Sequence, residues 1–114
     1  MANNIPFQSK GKTTRINVTT TANTVAILSD NPSNQLRIHN GTAAEVFINV
    51  STSPANAAVI PVAGTPSYGM VLHNNQTITI TSPAQATDTA TVYVSAIVAT
   101  GTGTIYVTPG EGIQ

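Results

Sequence analysis

The sequence predicts an all-β protein: a jelly-roll or β-sandwich of about eight short antiparallel strands behind an extended N-terminal arm. Three observations predict it. Apolar residues recur at every second position in short runs, as in Leu36 and Ile38 or Val46, Ile48 and Val50, which is the period of a strand with one buried face. These runs are rich in Val, Ile and Thr, side chains that suit a pleated, half-buried surface. Clusters of Asn, Gly, Pro and Ser separate them, and no segment carries a helical period.

A chain of 114 residues suits one domain, which buries roughly 65% of the surface its unfolded form exposes. Residues 1–13 read as the arm and 14–114 as a single β-sandwich domain. Only 7% of residues are charged and the formal net charge is zero. Long sheet edges with few charges to protect them are a liability that closure or association resolves, so the composition points toward an assembly. No cysteine is present, which removes disulfides, thiolate ligands and thiol nucleophiles. The N-terminal MANNIPFQSKGK lacks the apolar run of a signal peptide, and no stretch approaches the ~18 apolar residues of a membrane helix. The expectation is synthesis in a host cytoplasm.

Taken in order, Met1 to Thr13 shows no helical or strand period, and Ile5, Pro6 and Phe7 form a small apolar anchor before Lys10 and Lys12. With Arg15, three of the four basic residues fall in the first fifteen positions. Thr14 to Thr20 and Thr24 to Ser29 follow as strands. Val25, Ala26, Ile27 and Leu28 are all apolar, so the second of these is expected to meet protein on both faces. Gln35 to Ser51 then reads as a β-hairpin turning through Asn40-Gly41. Thr52 to Pro66 is a long excursion with three prolines, with room for one edge strand. Tyr68 to Leu72 and Gln76 to Thr81 read as a second hairpin, with Ile78 and Ile80 inward and Thr77, Thr79 and Thr81 outward. Ser82 to Thr89 is read as a loop. Ala90 to Ala99 and Thr104 to Thr108 form a third hairpin, with Val92, Val94, Ala96 and Val98 on one face and Tyr93, Ser95 and Ile97 on the other.

No residue constellation announces a chemistry. Gly11-Lys12-Thr13 matches the tail of a phosphate-binding loop, but Pro6 stands where the first glycine is required and a strand follows instead of a helix. Gly101-Thr102-Gly103 lacks the third glycine of a dinucleotide loop, since Tyr106 occupies that place. His39, His73, Asp30, Glu45, Asp88 and Glu111 are scattered singly, without metal-ligand spacing. No G-x-S-x-G elbow and no neighbouring carboxylate pair occurs. The expectation is therefore a protein that is not an enzyme and uses no cofactor and no metal. Balanced charge gives no broad basic surface for nucleic acid. Four Asn-x-Ser/Thr sites follow from composition alone.

Three stretches carry a resemblance: the arm ANNIPFQSKGKTT, the unit LRIHNGTAAEVFINVS and the closing AIVATGTGTIYVTPGEG. In them the chain resembles the small all-β virion proteins of tailed bacteriophages, especially capsid decoration or cement proteins. The resemblance implies a protein on the virion's capsid surface that clamps adjacent major capsid protein subunits, acts as a homo-oligomer, a trimer before a dimer, and contacts neither nucleic acid nor membrane. Ile5, Phe7, Lys10, Lys12 and Arg15 are the expected capsid-binding arm. Phe47, Tyr93, Ile97 and Tyr106, opposite the Val/Ile rows, are the expected subunit interface. The alternatives are a tail or fibre component that contacts the host and, with few aromatic platforms and no tryptophan, a carbohydrate-binding module.

Overall fold

The structure, a computed structural model, describes residues 5–9, 12–29, 33–64, 69–87, 89 and 91–113. They form nine strands: β1 (Ile5–Ser9), β2 (Thr14–Val18), β3 (Asn23–Ile27), β4 (Ser33–Asn40), β5 (Val46–Ser51), β6 (Met70–Leu72), β7 (Thr77–Ala86), β8 (Val92–Ile97) and β9 (Gly103–Ile113). No helix occurs among the described residues. Pairing is antiparallel throughout and produces two sheets. A five-stranded sheet has the order β1-β9-β4-β7, with β2 also paired to β9. A four-stranded sheet has the order β3-β8-β5-β6.

Strand alternation builds one core from both sheets. Ile16, Val18, Leu36, Ile38, Ile105 and Val107 come from the five-stranded sheet. Ile27, Val46, Ile48, Leu72, Val92, Val94 and Ala96 come from the four-stranded sheet and join the same buried cluster. Fully burying a side chain of this class contributes about 1.5–3 kcal/mol, so these rows dominate stability. Ile78 and Ile80 pack against the cluster from β7, while Thr77, Thr79 and Thr81 are exposed, as their alternation predicts.

The three expected hairpins are corrected. β4 pairs with β7 and β9, not β5; β6 pairs with β5, not β7; and β8 pairs with β3 and β5, not β9. Each connection passes from one sheet to the other. Two alternating runs around a turn-forming segment are compatible with either a hairpin or a crossing between sheets. Distant strands decide the matter: both edges of β4 are taken by β9 and β7, which leaves none for β5. Neither Asn40 nor Gly41 adopts the positive φ that both residues tolerate.

Other expectations change at strand ends. The arm, read without a strand, contains β1, whose Ser9 and Gln8 pair with Gly110 and Glu111. β2 continues along the same β9, from Thr14 opposite Val107 to Val18 opposite Gly103. Pro109 falls between these two paired lengths, where β9 tolerates a residue without an N–H. The expected loop at Ser82 to Thr89 is strand as far as Ala86, and Pro83 is accommodated because β7 is an edge. β3 is likewise an edge, and Leu28 beyond it is exposed, so the apolar run does not meet protein on both faces. Tyr68, Asp30 and Asp88 lie outside the described residues.

Candidate binding surface

Asn40 closes β4 at full burial, and its side chain ties two sheet crossings together. Its Nδ2 donates to the carbonyls of Ala44 at 3.0 Å, Leu72 at 3.3 Å and His73 at 2.9 Å, and its Oδ1 accepts from Thr42 N–H at 2.9 Å. Thr42 then locks the crossing to β9. Its hydroxyl donates to the Thr104 carbonyl at 3.1 Å and accepts from Thr104 N–H at 3.0 Å. Gly41 N–H donates to that same carbonyl at 3.0 Å. Gly103 makes room for this insertion, since a Cβ there would overlap the Thr42 side chain.

Beside this junction lies a depression of about 430 Å³. Its polar walls come from Arg15 and Asn17 on β2, Thr19 just beyond it, Thr42 on the crossing, and Thr102 and Thr104 around the start of β9. Thr19 is held in its own turn, donating to the Thr21 carbonyl at 3.0 Å and accepting from Thr21 N–H at 3.2 Å. Asn17 uses its backbone carbonyl to accept from Asn23 Nδ2 at 3.0 Å. That leaves the exposed Asn17 side chain directed by its strand position toward the outer face of the sheet.

The depression opens onto the outer face of the five-stranded sheet. There Arg15 lies opposite Tyr106, Tyr106 opposite His39, and His39 opposite Thr77. The His39 and Tyr106 rings stack at 6.4 Å and 25°, and His39 Nδ1 hydrogen-bonds Thr77 Oγ1 at 2.7 Å. In the next row, Thr108 lies opposite Arg37, which lies opposite Thr79. These two rows hold Arg15, Arg37 and His39 and no acidic side chain. Glu45 sits elsewhere, 3.4 Å from His73 Nδ1 in an exposed contact.

The expected interface residues fall into two groups. Phe47 and Ile97 are cross-strand partners on the outer face of the four-stranded sheet, with Val71 on the far side of Phe47. Tyr93 lies along the same face, opposite Ser51. Tyr106 stands apart on the other sheet. The excursion after β5 crosses the first group: Ala58 N–H donates to the buried Ser95 Oγ at 2.8 Å, and Asn49 Nδ2 donates to the Asn56 carbonyl at 3.3 Å. Phe47, Tyr93 and Ile97 are consequently only half-exposed. Val59, Met70 and Val71 are exposed apolar residues that line a shallow hollow with Phe47.

Of the expected arm, Lys12 is exposed and Arg15 lines the depression. Lys10 and the side chains of Ile5 and Phe7 lie outside the described residues. Asn17, Thr19, Thr42, Thr102 and Thr104 were not singled out by sequence, because hydroxyl and amide residues abound throughout and only tertiary pairing collects these five. The chain matches no family model, no curated protein and no solved structure.

Proposed function

We propose that this protein is a structural component of a tailed-phage virion, a jelly-roll sandwich that docks on the outer capsid surface and cements adjacent major capsid subunits. The strand orders β2-β9-β4-β7 and β3-β8-β5-β6, with the chain passing from sheet to sheet at most connections, support the jelly roll. The observation that carries the docking is the free sheet edge. β1 and β2 run in succession along one side of β9, and among the described residues no strand pairs with their other side. With the Asn17 carbonyl already taken by Asn23, the rest of that edge is offered to a strand from a capsid subunit, a mode in which backbone hydrogen bonds supply affinity. On this reading Ile5, Phe7, Lys10 and Lys12, in sequence within or next to β1 and β2, supply the side-chain contacts to the capsid.

The exposed apolar group of Val59, Met70 and Val71, which lines a shallow hollow together with Phe47, is the proposed contact between copies in a trimer or dimer. Co-sedimentation with purified phage shells lacking the protein tests the docking. The wild type pellets with shells, whereas Lys12→Glu and a variant lacking residues 1–9 lose occupancy. Wild-type protein that stays in the supernatant overturns the proposal, and selective pelleting with tails moves it to the host-contacting apparatus. Light scattering of the wild type and of Val59→Glu tests the oligomer: the variant dissociates to monomer, while a monomeric wild type both in solution and on shells removes the interface.

A further inference from the structure

The depression beside β2 and β9 has the chemistry of a site for a particular ligand. Among the described residues, Arg15 is its one charged wall residue and no acid lines it. A guanidinium offers a planar fork of donors that suits a carboxylate. Around it, the Asn17 amide and the hydroxyls of Thr102 and Thr104 can both donate and accept, and the Thr19 hydroxyl, whose proton is held by the Thr21 carbonyl, keeps one lone pair to accept, which is the requirement set by a ring bearing several hydroxyls. Ala43, exposed beside them, offers a small apolar contact for the C–H face of such a ring.

The floor is built before any ligand arrives. Thr42 is buried and bonded twice to Thr104, and Gly41 is bonded to the same residue. A fixed floor lowers the ordering cost of binding. Tyr106 borders it closely, since a Cβ at Gly41 would lie 3.3 Å from Tyr106 Cε2, and its stack with His39 extends an aromatic surface away from Arg15. The volume, about 430 Å³, falls within the ~300–1,000 Å³ of small-molecule sites.

We infer that this depression binds a carboxylated saccharide, with the sugar carboxylate on Arg15 and its hydroxyls on Asn17, Thr19, Thr102 and Thr104. A single cation among neutral hydrogen-bonding groups fits one negative charge on a polyhydroxylated body. It fits a polyphosphate poorly, since that would call for several cations or a cradle of backbone N–H groups. The site needs residues of one chain only, so it is testable on the free protein.

Amide-resolved NMR titration with D-glucuronate, D-glucose and sodium sulfate tests this. Glucuronate shifts the amides of Asn17, Gly41 to Ala43 and Thr102 to Thr104, and binds about tenfold or more tightly than glucose because it alone forms the charge-assisted pair. Arg15→Gln abolishes that preference while leaving the remaining spectrum, and so the fold, intact. Asn17→Ala weakens both sugars. Absence of shifts, shifts confined to another surface, or sulfate reproducing the affinity and pattern of glucuronate, which would mean an adventitious ion only, each overturns the assignment.

Discussion

Asn40 concentrates more of the fold in one side chain than any other polar residue described. Its amide reaches three carbonyls on two different crossings while its oxygen holds Thr42 N–H. That set of partners leaves aspartate unsuitable, because a carboxylate would face carbonyl oxygens. Asn40→Ala leaves buried groups unpaired and is expected to cost about 2–4 kcal/mol, read as a lower midpoint in denaturant with the same slope. Gly103 tests the adjoining lock. Gly103→Ala forces a methyl into the Thr42 side chain and should destabilise by about 1–3 kcal/mol. Thr42→Ala removes the hydroxyl and methyl that collide with it, so the double variant should lose less than the sum of the singles. Strict additivity in that cycle would show that the two residues do not interact.

At the scale of strands and connections, alternation was legible and partnership was not. Val92, Val94 and Ala96 are buried and Tyr93 and Ile97 are half-exposed, as period two requires, because facing is fixed within a strand by the pleat. Which strand lies alongside is fixed by residues far away. Val46 and Ile38 thus sit in opposing sheets although a turn-forming Asn-Gly lies between them. The candidate site shares this limit: Arg15 stands out as a rare charge, but its threonine and asparagine neighbours come from segments joined only when β2 lies on β9.

The prolines of the excursion after β5 predict an irregular path with room for one edge strand, and that path is tied to the four-stranded sheet by Ser95 Oγ and, at its exposed side, by Asn49. Ser95→Ala leaves the Ala58 N–H without that acceptor and should loosen residues 52–64 before the core. Limited proteolysis should then cut this segment faster while thermal unfolding moves little. Unchanged cleavage would mean that packing of Ala58 and the Asn49 contact hold it without that hydroxyl.

The whole molecule is closed by its most distant parts. β1 pairs with the end of β9, β2 with its beginning, and β4 with its middle, from Ile105 to Gly110, so the last strand made is the one that joins the five-stranded sheet. With crossings in place of the local hairpins, chain closure must precede most of the rewarding contacts, which slows folding. Refolding is expected on the ms–s timescale typical of β-sandwich topologies. The position of a core truncation should decide which rate it changes. Ile105→Ala on β9 and Leu72→Ala on the short edge strand β6 both remove fully buried side chains and should each cost about 2–5 kcal/mol. If β9 docking forms the transition state, Ile105→Ala slows refolding and Leu72→Ala mainly speeds unfolding. Stopped-flow chevrons distinguish the two arms, and an Ile105→Ala effect confined to the unfolding arm would mean that β9 docks only after the barrier has been crossed.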